Sequence, residues 1–195
     1  MEEKTDLRIV KTYKALSDTF MEMMEEKKFD DITVNELCER AMVRRATFYK
    51  HFEDKYDFFG FFIRRIKNGF LEKIPAYEKS DTDDTPFAYY IYITKRCVGF
   101  IKEHEKMVRN AVKSNMFPTL LEIFLDEVYG DVVLDMKEME KKGTKFVAAP
   151  EILSSFFIGG IIQSIRFWMA NPNAMSEEKL IEGICAVLNS AEVII

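Results

Sequence analysis

The chain has 195 residues, 48% of them hydrophobic, with 17 Phe and 8 Tyr but only 8 Gly and 5 Pro. That is ample for one large or two small domains, and it favours long helices over a strand-rich sandwich. A net charge of −5 excludes a broadly basic nucleic-acid binder, so any such role falls to a local patch.

Cys38, Cys97 and Cys185 show no C-x-x-C spacing and no companion histidines, which predicts ordinary buried thiols in a reducing compartment. The opening MEEKTDLRIVK lacks the apolar stretch of a secretion signal. The longest charge-free apolar run, Ile152 to Ile165, is shorter than the ~20 residues that span a bilayer. The expectation is a soluble, cytoplasmic protein with no membrane segment.

Ile9, Tyr13, Leu16, Phe20 and Met23 or Met24 recur at three- and four-residue steps, which predicts an amphipathic first helix over 6–27. Thr33-Val-Asn-Glu36 has the form of a capping box and predicts a short second helix, ending at Ala41-Met42-Val43. A third helix runs from Arg44 to about His51 with Phe48 and Phe52 on its inner side. Asp54 caps a fourth over 55–74, whose phenylalanines are too dense for a single stripe. Pro75 ends it. YEKSDTDDT reads as a linker, and Thr85 with Pro86 starts the next helix, which reaches about Glu105.

Further helices fit 107–115, 118–142 with a stop at Gly143, 150–170, and 176–190 with Ser176 as N-cap. No internal repeat and no strand alternation interrupts the series. The predicted fold is all-α, with a three-helix first domain over 6–54, a connecting helix over 55–74 and a second helical domain over 75–195.

Three helices and a long fourth, with a four-residue turn between the second and third, follow helix-turn-helix grammar. The exposed side of the third helix would carry Arg44, Arg45, Thr47, Tyr49, Lys50 and His51, with Lys55 opening the fourth. Arginine forks onto guanine in the major groove, while Thr, Tyr and Lys suit phosphate oxygens, as does the helix N-terminus at Thr33. Taken alone, the three bases would pass for a solvated face.

The segment FDDITVNELCERAMVRRATFYKHFEDKYDFF resembles the DNA-binding segment of the TetR family of transcriptional regulators. Thr33, Leu37, Cys38, Ala41, Val43, Thr47, Phe48, Tyr49, Phe52 and Lys55 match that pattern in register, over about the first quarter of the chain. The wording TFYKHFEDKYDFF is also similar to a subgroup that includes regulators of dihydroxyacetone kinase. Met42 departs from the family, standing where it usually has a turn glycine; if that position needs a positive φ, methionine costs roughly 1 kcal/mol. Ala46 replaces a frequent glycine, a smaller change.

The resemblance implies a homodimeric repressor on a palindromic double-stranded DNA operator, with a small-molecule effector held among the middle helices. Tyr89, Tyr92, Arg96, Phe100 and Phe124 are the candidate effector-pocket residues, with plain core and surface an equal alternative. Phe156, Gly159, Gly160, Gln163, Ser164 and Phe167 are the candidate dimer face, on an apolar helix whose small residues allow close approach and which, with the 176–190 helix, would pair with its copy as a four-helix bundle. His51 and His104 are too isolated for a metal site, and no cofactor, nucleophile signature or catalytic carboxylate pair is visible. The rival expectation is a helical partner protein whose DNA-binding head is vestigial.

Overall fold

Side chains and glycines at helix ends account for the local structure. The computed structural model describes residues 7–72, 88–171 and 173–190; Pro75, the linker 77–85 and Pro86 lie outside the described residues, as do the side chains of 70–72, 88 and 89. Among the described residues the order is α1 (Leu7–Glu26), a 3-10 turn (Phe29–Asp31), α2 (Val34–Arg40), α3 (Arg45–His51), α4 (Lys55–Glu72) and α5 (Ala88–Glu103). Then follow α6 (Glu105–Val112), α7 (Phe117–Lys141), α8 (Pro150–Ala170) and α9 (Glu177–Asn189), with no strand. The chain divides into two compact units, 1–70 with 104–124, and 71–103 with 125–195.

In the first unit, α1 buries Leu16, Phe20, Met23 and Met24 of the predicted stripe, while Ile9 and Tyr13 are half-buried. The Thr33 hydroxyl accepts from the Glu36 amide at 3.2 Å and so starts α2. The reciprocal half of that capping box does not form. The Glu36 carboxylate instead takes the Lys27 ammonium at 2.6 Å and faces Arg40 at 3.6 Å, because a charged partner outcompetes a backbone amide. Asp54 accepts from the amides of Tyr56 and Asp57 at 2.8 and 2.9 Å, and Asp57 reaches back to the Glu53 amide at 2.9 Å. At α4, therefore, the N-cap and third-residue side chains both take backbone amides, the latter that of the residue before the cap.

Aromatic edges fill the interior. Phe20 meets Phe58 and Phe62 at centroid distances of 5.3 and 4.9 Å, and Phe52 meets Phe48 and Phe58 at 5.3 and 5.1 Å. Such edge contacts add about 0.5–1.5 kcal/mol each beyond area burial. On α4, Phe58, Phe59 and Phe62 are buried, while Phe61 packs on Tyr13 at 4.6 Å, so the helix is covered over much of its circumference.

The first unit also takes in 104–124, which the sequence reading assigned to the second domain. Asn110 donates to the Met24 carbonyl at 2.9 Å, at the end of α1. The Asn115 amide donates to the Asp30 carboxylate at 3.2 Å, and the His104 ring lies 3.2 Å from the Glu25 carboxylate. These pairs span 79 to 86 residues, beyond the reach of any local pattern.

The second unit packs α5, α8, α9 and the end of α7 around Val98, Met136, Leu153, Phe157, Leu180, Ile184 and Leu188. Lys102 pairs with Glu177 and Lys137 with Glu151, each at 2.6 Å. Gly143 ends α7 at φ 103, and Ser176 caps α9 through the Lys179 amide at 3.3 Å. By length and composition alone α8 could cross a membrane (mean hydropathy 1.4), since it runs through Glu151 and Arg166 for 21 residues.

Candidate nucleic-acid interface

The turn between α2 and α3 is a Schellman motif: Met42 donates to the Glu39 carbonyl at 3.1 Å and Val43 to the Cys38 carbonyl at 2.9 Å. That pairing requires a left-handed residue, and Met42 supplies it at φ 54, the one non-glycine with positive φ among the described residues. The conditional expectation about the missing turn glycine is thereby met, at a conformational cost of about 1 kcal/mol.

Arg44 occupies the N-cap position of α3 in extended conformation, and Arg45 opens the helix. Phe48 and Phe52 anchor the inner side; Arg44, Arg45, Tyr49 and Lys50 are exposed on the outer side, and Thr47 is half-buried. The Arg45 guanidinium lies 5.7 Å from the Tyr49 ring centroid, a distance that allows a cation–π contact. Nearby Arg40 is spent on Glu26 at 2.7 Å and on Glu36. Among the described residues, no carboxylate pairs with Arg44, Arg45 or Lys50. Thr33 is exposed at the start of α2. The result is an acidic chain with a locally cationic rim.

Two candidates are held differently from the sequence reading. The Lys55 ammonium points inward, donating to the carbonyls of Phe29, Asp30 and Ile32 at 3.1, 3.3 and 3.1 Å. All three of its hydrogens are engaged, leaving none for a phosphate. Burial lowers its pKa below the ordinary lysine value, with Asp30 and Asp31 opposing that shift. His51 is half-buried, its Nδ1 3.3 Å from the Tyr13 hydroxyl.

Of the effector-pocket candidates, Tyr92, Arg96 and Phe100 lie on α5, with Arg96 exposed and the other two half-buried; Phe124 belongs to the first unit. The Tyr89 side chain lies outside the described residues. A shallow depression of about 540 Å³ occurs elsewhere, lined by Tyr129, Glu151, Ile152, Ser155 and Phe156. On α8, Phe156, Gly159, Gly160, Gln163 and Phe167 are exposed and Ser164 is half-buried. On α9, the second helix of the expected dimer seam, Gly183, Ala186 and Val187 are also exposed.

A helix-turn-helix head joined to a helical second unit defines a DNA-binding transcriptional regulator. Residues 18–60 match the tetR family of bacterial regulatory proteins, and residues 90–190 match a transcriptional regulator C-terminal region. The chain belongs to the TetR family. An uncharacterized HTH-type transcriptional regulator, YxbF of Bacillus subtilis (strain 168), is 34% identical over 65 residues; the match covers 33% of this chain and spans 17% of that protein's length.

Among solved structures, a TetR-family regulator from Syntrophomonas wolfei superposes with a TM-score of 0.70 at 15% identity, covering 92% of this chain and 93% of its own. FadR from Bacillus subtilis, solved with stearoyl-CoA, superposes with a TM-score of 0.66 at 15% identity, covering 91% and 98%. At these identities the likeness speaks for the fold alone.

Proposed function

We propose that this regulator is a homodimeric repressor that reads a palindromic operator through α3 and releases it in response to a small molecule. The observation that carries the reading is the outer side of α3. There Arg44, Arg45, Tyr49 and Lys50 stand exposed on a helix held from behind by buried Phe48 and Phe52.

In this reading Arg44, Arg45 and Lys50 reach base edges, while Thr33, Thr47, Tyr49 and the outer edge of His51 set the register on phosphates. Lys55 keeps the platform in place instead of touching DNA. The apolar outer sides of α8 and α9 meet their copies and set two α3 helices about 34–36 Å apart. Phe156, Phe167 and Val187, large apolar side chains exposed on these sides, support this arrangement.

The effector binds in the second unit, with Tyr92, Arg96 and Phe100 as candidate lining. Stearoyl-CoA on the structural neighbour FadR supports a small-molecule role for this fold. An effector shifts the equilibrium only by its difference in affinity for the two states. The protein works in the cytoplasm, beside the chromosome, and we assign it no catalytic step.

The test is selection of genomic fragments by the purified protein, with an Arg44→Ala/Arg45→Ala variant alongside. Enrichment of one palindromic site by the parent, lost in the variant, supports the reading. Equal, unselective binding by both proteins would end it.

A further inference from the structure

We propose that Met42 is a DNA-contacting residue, packing its thioether on apolar carbons of the operator duplex beside the bases read by Arg44 and Arg45. The inference rests on the assignment of α3 as the reading helix.

Three observations meet at this residue. Its φ of 54 is demanded by the Schellman pairing of the turn, a place where glycine serves without a Cβ penalty. Its side chain is 94% exposed, so side-chain packing against the described residues does not offset that penalty. It stands two residues before Arg44, the N-cap of α3, at the end of the recognition helix whose first residues meet base edges in helix-turn-helix docking.

The chemistry of the side chain sets its target. A thioether carries no charge and donates no hydrogen bond, so a phosphate oxygen gains nothing from it. It is long, unbranched and polarizable, which suits irregular apolar surface. On a duplex that surface is a thymine methyl in the major groove or the carbons of a deoxyribose. Arg44 and Arg45 supply the attraction that brings such a surface to the turn.

The experiment uses the duplex that the parent protein itself enriches from genomic DNA. Parent, Met42→Gly, Met42→Leu and Arg45→Ala are compared by thermal midpoint and by affinity across a salt series. Met42→Gly is expected to melt about 2–4 °C higher through relief of strain. It should nonetheless bind the duplex about fivefold more weakly, the scale of one buried methylene or slightly more. Its log–log salt slope should stay unchanged, since no phosphate contact is lost, whereas Arg45→Ala should lower the slope or relax sequence preference. Met42→Leu, keeping the apolar bulk, should bind within about twofold of the parent.

Replacing operator thymines with uracil separates the two surfaces. Parental affinity that falls toward that of Met42→Gly assigns the contact to a thymine methyl; unchanged affinity, with Met42→Gly still weaker, assigns it to the sugar. If Met42→Gly binds as tightly as the parent while Arg45→Ala binds more weakly, the proposal is overturned and α3 keeps its role. If neither substitution weakens binding, the assignment of α3 falls with it.

Discussion

The Lys55 ammonium lies 4.5 Å from the centroid of the Phe29 ring and donates to that residue's carbonyl at 3.1 Å. With the carbonyls of Asp30 and Ile32 also bound, one side chain ties the start of α4 to the turn that leads into α2. A flexible cation thereby becomes a structural strut.

Lys55→Ala is expected to destabilise the protein by about 1.5–3 kcal/mol, the range for hydrogen bonds to a charged group. The salt slope of DNA binding should not change. Denaturant melts and a salt titration check both; a slope reduced by about 1 would return Lys55 to the phosphate contacts.

Arg44→Ala and Arg45→Ala are expected to leave the melting temperature near the parent's, since both side chains are exposed and pair with no carboxylate among the described residues. Each should cost about 1–3 kcal/mol of operator affinity and relax preference at one base pair. Competition between operator and a scrambled duplex is the measurement. Loss shared equally by both duplexes would mean phosphate contacts rather than base reading.

Phe156→Asp tests the α8 face. The side chain is 70% exposed, so the substitution should change the stability of one chain by no more than about 0.5 kcal/mol. Against a second copy it would bury a charge and should abolish dimers at micromolar concentration in sedimentation equilibrium. A dimer unchanged by Phe156→Asp would remove α8 from the interface.

Asp30 predicts a pH dependence with a definite sign. The Ser114 hydroxyl, followed by backbone amides, holds its carboxyl below the ordinary 3.8. A lowered folded-state pKa means the unfolded chain binds more protons in the window below 3.8. Asp30's contribution is therefore complete above that value and is lost as pH falls through the folded-state pKa. Melting temperatures of parent and Asp30→Asn should differ at pH 5 and converge as the carboxylate is protonated. Parallel curves down to pH 2 would contradict this linkage.

Much of the fold was legible because it is written locally. Caps at Thr33, Asp54 and Ser176, the stop at Gly143 and the stripe of α1 each depend on residues within a turn or two of one another. So does the placement of Phe48 and Phe52 behind Arg44, Arg45 and Lys50, which made the candidate interface readable. The left-handed turn at Met42 was foreseeable only as a condition, since a methionine does not announce a positive φ.

Tertiary structure alone decided where long polar side chains went and which segments joined which unit. Lys55 found carbonyls 23 to 26 residues away, and Asn110 and Asn115 bound the head across 85 or more. Glu36 left its local amide for Lys27, nine residues back. Helix and cap propensities are short-range, whereas a lysine or asparagine takes whichever buried acceptor packing brings within about 3 Å. The sequence alone determined the order of helices and the cationic side of α3; packing decided that Lys55 braces this side from behind and that 104–124 belongs with the head.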